Sequence, residues 1–335
     1  MLKGSVCVLL GLHAGLVWLS LYPWWQWQWA LLAHFQVQYL LLSVLLTVLA
    51  LTFGPRHHKK LQLMVGITGL IAVAPGLWLV SPYILPASLF APRTNQVPTT
   101  QTLTLLHTNV FAGNRQIEKV AGLIAARQPD VVVLMEYTEN LRQQLEKAPA
   151  VGEYPYRWTG QAHLGVYSKY PLTSELRFIG WRSIANKAQL HTWIDLGEQR
   201  LHLVVAHPPW PIGAENFAAQ QAHFVHWQER FANPVEPVLI VGDFNTTPWS
   251  SHFRQLITST PLQDSQRGYG IRGTWPLFFS PWGYQDFASR LGGALSLAQI
   301  PIDHVLHTPD VRIMDWQRPE SVGSDHWPVF VKLSL

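Results

Sequence analysis

The first 98 residues contain no aspartate and no glutamate. Five basic residues stand among them, Lys3, Arg56, Lys59, Lys60 and Arg93, which leaves 19 of the 24 basic residues to set against all 20 acidic ones in the remainder. The formal charge of +4 is therefore a property of the N-terminal third, and the rest carries a slight acidic excess. No broad basic face advertises a nucleic-acid surface there, although a local patch or metal ions would still attract phosphate. Cysteine is almost absent as well. Cys7, inside an apolar run, is the single one, which excludes an intrachain disulfide and any thiolate nucleophile or cysteine metal site in the rest of the chain. Charged residues make up 13% of the chain against 48% apolar, a balance that leans towards a membrane component. Neither a G-x-S-x-G serine elbow nor a Walker-type glycine-rich loop occurs.

What is present first is a set of three apolar segments, roughly Ser5 to Tyr22, Ala30 to Phe53 and Leu61 to Pro86. Each is near the ~20 residues needed to cross a bilayer. PWWQWQW, between the first two, suits the headgroup region, and GPRHHKK, between the second and third, is strongly basic. By the positive-inside rule Lys3 and the Arg56/Lys59/Lys60 loop face the cytoplasm, so everything after Pro86 is predicted to be extracytoplasmic. A cleaved signal peptide competes for the first segment only, because the other two lack signal-like flanks. Gly11 and Gly15 form a small-xxx-small pair that suits close helix packing. His13 is expected as a neutral imidazole bonded to a neighbouring helix, and His34, Gln36 and Gln38 are expected at the membrane interface. Residues 1–90 thus read as a three-helix membrane anchor, 91–101 as a polar, proline-containing linker, and 102–335 as a folded domain outside the membrane.

From Thr102 strands alternate with helices. TLTLLHTNV, DVVVLMEYT, LGVYSKYPL, QLHTWIDL, RLHLVVAHPP, PVLIVGDFN, PIDHVLHT and HWPVFVKL read as strands. Asn114 is predicted to cap a helix carrying Ile117, Val120 and Ile124 on one stripe. Residues 138–147 read as a short polar helix. Residues 213–231 read as a helix with Phe217, Phe224 and Phe231 towards the core and His223 and His226 as surface or packing residues. This mixed order predicts two packed sheets flanked by helices, an α+β or α/β sandwich.

VLIVGDFN runs four apolar residues into Gly242 and then sets Asp243 and Asn245 two apart, on one face of an extended strand. Alone, that is an ordinary turn. The same event recurs, however. Asn109 ends LLHTNV, Glu136 ends DVVVLME, His207 ends LHLVVAHP, Asp303 and His304 interrupt IPIDHVL, and Asp325 and His326 precede WPVFVKL. Six strands that deliver carboxylates, amides and imidazoles in the same sense predict one convergent site, because buried unpaired charge is costly. Glu136, Asp325 and Asn109 are hard oxygen ligands suited to Mg²⁺ or Mn²⁺. Asp303 and His326 suit a carboxylate–imidazole pair. With serine, cysteine and P-loop chemistry set aside, metal-assisted attack of water on a phosphoester remains.

The series Asn109, Glu136, SKYPL (168–172), His207, GDFN (242–245), IDHVL (302–306) and SDH (324–326) resembles the endonuclease/exonuclease/phosphatase superfamily, the DNase-I-like fold, over about residues 102–335. The resemblance implies a four-layer α/β/β/α sandwich of two mixed sheets with the site at one rim. It implies a divalent metal on Glu136, with Asn109 and Asp325 nearby. It implies that Asp243 orients or activates water, that Asn245 and His207 contact the scissile phosphate, and that His326, paired with Asp303, acts in acid–base or transition-state stabilisation; Asp243 and His326 are both candidates for the base. DNA-repair members carry an acidic residue two after the first Asn. Phe111 stands there in this chain, so the implication does not extend to a second metal subsite. His304 replaces an aromatic residue and reads as structural.

Three functions fit these residues. A catalytic domain tethered to a bilayer suits a phosphatase or phosphodiesterase acting on a lipid-linked phosphate. That layout is similar to membrane members linked to teicoplanin resistance, which act on undecaprenyl pyrophosphate, and sphingomyelinase- or phospholipase-like members share the theme. Trp158, Trp210, Trp249, Trp275 and Trp282 would rim such a site, with packing the plainer reading for each. An extracytoplasmic nuclease would need a basic or aromatic groove that the charge balance does not supply. A non-catalytic phosphate-binding module would be expected to have lost part of the polar set. The expected partners are the bilayer and a phosphoester, with nucleic acid not favoured, and the sequence carries no signal for oligomeric state.

Overall fold

The computed structural model describes residues 2–23, 26–54, 58–89, 101–179, 188–276 and 297–335. Helix α1 spans Leu2–Leu21, and α2 (Trp27–Ala30) passes through a 3-10 turn at Leu31–Phe35 into α3 (Gln36–Phe53); α4 spans Lys59–Ile84. Gly4–Leu21, Trp27–Phe53 and Lys59–Ile84 are each long and apolar enough to cross a membrane. Leu9, Leu12, Leu45, Val48, Leu63 and Leu70 face outward, as side chains solvated by lipid would. Leu10, Ala14, Ala50, Val65 and Ala72 form the inner seam. A polar rung crosses it: His13 Nε2 lies 2.9 Å from Ser43 Oγ and 3.1 Å from the Tyr39 carbonyl, and Ser43 Oγ donates to the Ala72 carbonyl at 3.1 Å. His13 of α1 thus bonds α3, whose Ser43 in turn bonds α4, which agrees with the expectation of a histidine bonded to a neighbouring helix.

Close packing falls elsewhere than the sequence suggested. Nothing lies within 4 Å of a Cβ placed on Gly11 or Gly15, whereas Gly69 lies against the Thr47 side chain and Gly76 against Leu40. The glycines that let helices approach are therefore on α4, facing α3. The linker expected at residues 91–101 lies, apart from its last residue, outside the described residues, as do Arg56, Trp24, Trp25 and Trp282.

Among the described residues twelve strands follow: β1 (Thr102–Asn109), β2 (Val131–Met135), β3 (Tyr156–Gln161), β4 (Leu164–Ser168), β5 (Leu172–Phe178), β6 (Ala188–Asp195), β7 (Arg200–Ala206), β8 (Val238–Asp243), β9 (Gln263–Asp264), β10 (Asp303–His307), β11 (Arg312–Gln317) and β12 (Val329–Ser334). They form two six-stranded sheets, ordered β11-β12-β1-β2-β4-β3 and β5-β6-β7-β8-β10-β9. Each sheet has one parallel pair near its centre, β1 with β2 and β7 with β8, and antiparallel partners elsewhere. Helices α5 (Ile117–Arg127), α6 (Glu139–Leu145) and α7 (Pro149–Gly152) cover the outer face of the first sheet, where Val120, Ile124 and Leu141 pack on Leu106, Val132 and Leu134. Helices α8 (Ala214–Arg230) and α9 (Ser251–Ser259) cover the second, where Phe224, Trp227 and Phe253 pack on Val204, Ile240 and Leu306. This is the four-layer α/β/β/α sandwich expected from the sequence.

Strand parity places the site. Along β1, Leu103 and Leu105 enter the core between the sheets, while Leu106 faces the helices. The same alternation puts Val131, Val133 and Met135 of β2, Leu203 and Val205 of β7, Leu239 and Val241 of β8, and Val305 of β10 inside. Asn109, His207, Asp243 and Asp303 are the next inward positions at the strand ends. The periodicity that fills the core with aliphatic groups therefore fills its rim with polar ones. Gly242 is required here, because a Cβ would collide with the Ala206 carbonyl oxygen of β7.

Asn114 does not cap α5. Its Oδ1 accepts the Gln116 amide at 2.7 Å, and its Nδ2 donates to the carbonyls of Val110 and Val322, at 2.9 and 3.1 Å, so it ties the turn before the helix to the loop before β12. The polar side chain found a tertiary partner, which sequence-local capping rules do not foresee. His223 is fully buried, its ring edge-on to Trp227.

Candidate active site

Glu136, Asn245 and Phe111 have left-handed backbones, with φ of 53°, 51° and 60°. Non-glycine residues held this way cost on the order of 1–3 kcal/mol each, and they persist where surrounding bonds over-determine them. Those bonds are visible. Asn109 Oδ1 accepts the Phe111 amide at 3.0 Å, and Glu136 Oε2 accepts the Ala112 amide at 2.9 Å. The Asn245 amide donates to Asp243 Oδ1 at 2.8 Å, and Asn245 Nδ2 donates to the Pro208 carbonyl at 3.0 Å.

At the centre stands Asp243, buried at the end of β8. Its Oδ2 accepts Asn109 Nδ2 at 3.1 Å and lies 3.5 Å from His207 Nε2 and 3.6 Å from His326 Nε2. Asn109 Nδ2 also donates to Glu136 Oε1 at 3.0 Å, so one amide brackets two carboxylates from different sheets. Asp303 pairs in register with Asp243 across β10 and β8. Its Oδ2 accepts His326 Nδ1 at 2.8 Å, and its Oδ1 accepts His107 Nε2 at 3.0 Å. Ser324 holds the last segment in place: its Oγ donates to the Asn109 carbonyl at 2.7 Å and accepts the His326 amide at 3.0 Å.

The charges are set by these contacts. Burial alone would strip His326 of its proton, but Asp303 and Asp243 outweigh it, and the imidazole pKa rises to about 10. The same burial pushes the carboxyls of Asp243 and Asp303 up, but His326 together with His207 at Asp243, and His326 together with His107 at Asp303, more than reverse it, so both stay ionised. His207 is also raised: burial opposes its charge, but the contact with and charge of Asp243, with Glu136 adding, together overcome it. Asp325 behaves oppositely: burial, with Glu136 adding repulsion, lifts its pKa. Its Oδ2 accepts the indole N–H of Trp275 at 3.3 Å.

All eight residues singled out in the sequence are thus joined in one neighbourhood by hydrogen bonds, close ion pairs or mutual electrostatic influence. His107 was not singled out. Its signal was parity, since it lies on the inward face between Leu105 and Asn109. Asn109 was expected beside a metal, and it is the amide nitrogen that faces the carboxylates here. Asp243, Asp303 and His326 place ligand-type atoms within 4.8 Å of one another. His326 Nδ1 is already committed to Asp303 there, so this trio is better described as a hydrogen-bonded Asp303–His326 pair with Asp243 alongside as an ion-pair partner. His304 is structural: its Nε2 donates to the Thr246 carbonyl at 2.9 Å, and its ring lies between Phe244 and Phe253. Of the tryptophans, Trp249 is buried, Trp158 packs on the core, Trp275 holds Asp325, and Trp210 is 58% exposed on the loop after His207.

Comparison with known proteins agrees with this architecture. Three solved structures share the fold. They are an endonuclease/exonuclease/phosphatase from Beutenbergia cavernae (18% identity, TM-score 0.52, covering 70% of this chain and 72% of that one), a humanized D. rerio TDP2 with 14 mutations (16%, 0.54, 70% and 99%), and an endonuclease/exonuclease/phosphatase from Bacteroides vulgatus (19%, 0.53, 70% and 100%). No curated protein sequence matches the chain. The profile of the Endonuclease/Exonuclease/phosphatase family matches residues 106–326, which begins within β1 and ends on His326, and the chain belongs to that family.

Proposed function

We propose that this protein is a membrane-anchored phosphoester hydrolase that acts on a lipid-linked phosphate or pyrophosphate, with its catalytic domain on the extracytoplasmic side. The observation that carries the hydrolytic reading is the hydrogen-bonded Asp303–His326 pair set beside the buried carboxylate of Asp243, with His207 and Asn245 next to it. His326, kept protonated by Asp303, presents Nε2 towards the space beside Asp243 Oδ2 and supplies a fixed positive charge and a proton donor for a phosphate oxygen or leaving group. Asp243, kept ionised, orients a water and accepts its proton. This divides the two candidates for the base: Asp243 takes the proton and His326 stabilises the charge. Asn245 and His207 flank Asp243 and face the phosphate.

The family implies a divalent metal ion, and the donor set fits one. Glu136 and Asp325 are oxygen donors, and burial, with Glu136 adding repulsion, raises the Asp325 pKa, which is the electrostatic condition a cation relieves. These two residues would hold Mg²⁺ or Mn²⁺, and Asn109 would orient Glu136 through its amide. Bound there, such an ion supplies charge neutralisation at the phosphate.

Support for a lipid substrate is the placement of this site on a chain with three membrane-length helices and no acidic residue before Glu118. The layout is similar to that of teicoplanin-resistance phosphatases. Purified protein with Mg²⁺, offered undecaprenyl pyrophosphate, phospholipid and plasmid DNA in parallel, is expected to turn over a lipid phosphate. Glu136→Ala and His326→Ala are expected to abolish that turnover while melting near the wild-type temperature. Nicking of DNA with no lipid turnover would establish the nuclease instead, and full rates in both variants would refute the site. An alkaline phosphatase fusion after residue 95 is expected to be active, and its inactivity would reverse the orientation.

A further inference from the structure

The membrane helices do more than precede the catalytic domain; they bond to the loop that carries two of its central residues. Asp243 and Asn245 are followed directly by Thr246, Thr247, Pro248 and Trp249. His34, in the 3-10 turn ahead of α3, holds that stretch at two points. Its Nδ1 accepts the Thr247 amide at 3.3 Å and lies 3.2 Å from Thr247 Oγ1, and its carbonyl accepts the Trp249 indole N–H at 3.1 Å. His34, Thr247 and Trp249 are all buried. The Trp249 ring stands edge-on to Tyr83 of α4, with centroids 5.5 Å apart, and is enclosed by Leu79, Val80, Leu21 and Leu40.

We propose that His34 is a positioning residue for the catalytic loop, so that the membrane anchor is a working part of the active site rather than a tether. The inference rests on the hydrolase reading of that site. The loop is held by two different bodies in sequence. The sandwich holds its first half: Gln220 Nε2 donates to the carbonyls of Phe244 and Asn245, and His304 donates to that of Thr246. The anchor holds its second half, at Thr247 and Trp249. Asn245, in the first half and two residues before Thr247, has a left-handed backbone, a conformation that persists only while the loop around it is held. Because its Nδ2 reaches the Pro208 carbonyl, one residue after His207, relaxation at Asn245 disturbs both phosphate-facing residues.

Other bonds hold anchor and sandwich together without His34. Tyr83 Oη donates to Asp264 Oδ2 at 3.0 Å, the Gly270 amide donates to the Tyr83 carbonyl at 2.8 Å, and Arg254 Nη2 donates to the Leu21 carbonyl at 3.1 Å. Removing the imidazole should therefore loosen the loop and leave the dock. An asparagine at 34 places an amide oxygen where Nδ1 now stands and can still accept the Thr247 amide, whereas alanine cannot.

The test uses the full chain in nanodiscs, a soluble chromogenic probe, bis(p-nitrophenyl) phosphate, with Mg²⁺, and amide hydrogen exchange. His34→Ala is expected to lower kcat about tenfold or more with KM within about twofold, as a misplaced catalytic group does. It is also expected to speed exchange across residues 244–250. His34→Asn is expected to restore most of both. Tyr83→Phe, which removes the dock bond to Asp264 and keeps the ring against Trp249, is expected to leave kcat unchanged. Three results would overturn the proposal: wild-type kcat in His34→Ala, equal losses in His34→Ala and His34→Asn, or the same loss in Tyr83→Phe. A wild-type chain that hydrolyses no phosphoester would sink the hydrolase reading instead, and the exchange data would still decide whether His34 holds the loop.

Discussion

Asp303 has no spare oxygen. One holds His326 and the other His107, so its charge is shared between an imidazolium that faces the site and an imidazole behind it. Replacing it by asparagine keeps the shape and removes the charge. Asp303→Asn is expected to bring the His326 pKa down from about 10 towards or below the ordinary 6.5 and to lower kcat by about 10²- to 10⁴-fold. An NMR titration of the His326 ring and steady-state rates would check the two parts; an unmoved ring pKa would disprove the coupling. Much of this residue-level picture was legible in advance. Asn109, Glu136 and Asp243 each close an apolar strand and Asp303 and His326 stand at or just before the start of one, and an apolar strand has no packing reason to be flanked by buried polar groups. His107 escaped because a histidine inside a strand looks like core until its partner is known, and that partner lies 196 residues away.

Elements on the outer face of the second sheet carry a different polar system. The Trp227 indole donates to Gln189 Oε1, Gln189 Nε2 donates to His191 Nε2, and His191 Nδ1 donates to His202 Nε2, at 2.8, 2.9 and 2.9 Å. This chain of bonds joins α8 to β6 and β7 and works only with neutral rings. Burial lowers the pKa of His191 to about 3 and of His202 to about 4, helped by nearby cations. In the unfolded chain both rings take up protons near 6.5, so the folded state loses ground as pH falls from 6.5 towards those lower values. The loss is on the order of 3 kcal/mol for His202 at full expression. Urea melts between pH 7 and 4 are expected to show this slope. His202→Phe, which keeps a ring stacked on Trp193, is expected to flatten it; an unchanged slope would place the acid sensitivity elsewhere. Element boundaries were legible where apolar periodicity was strong, as in β8 and α8. They were not where a polar side chain chose a distant partner, as Asn114 did with the Val322 carbonyl.

At the scale of the whole molecule, the three apolar helices and the sandwich were each readable from composition and periodicity. Their mutual contact was not. His34 to Thr247 spans 213 positions and Tyr83 to Asp264 spans 181, and no local pattern encodes such a pairing. His34 and Gln36, polar residues near a helix end, are both buried by contacts their own segment does not foretell, His34 against the sandwich and Gln36 on Ser20. A catalytic domain held this close to its helices should serve the bilayer that carries it. Reconstituted vesicles containing enzyme, mixed with enzyme-free vesicles bearing a labelled lipid phosphate, are expected to leave that label intact while their own lipid is consumed. Equal consumption of both would show that the domain reaches across solution.

The bonds from Leu21, His34 and Tyr83 to one side of the sandwich have a kinetic corollary. On the proposed membrane reading, with the site kept at a constant height over the leaflet, the protein would meet lipids by lateral diffusion, as a search in two dimensions. On the lipid reading, velocity should then follow the mole fraction of substrate in the surface, and dilution with inert lipid should slow the reaction even when the total amount per volume is unchanged.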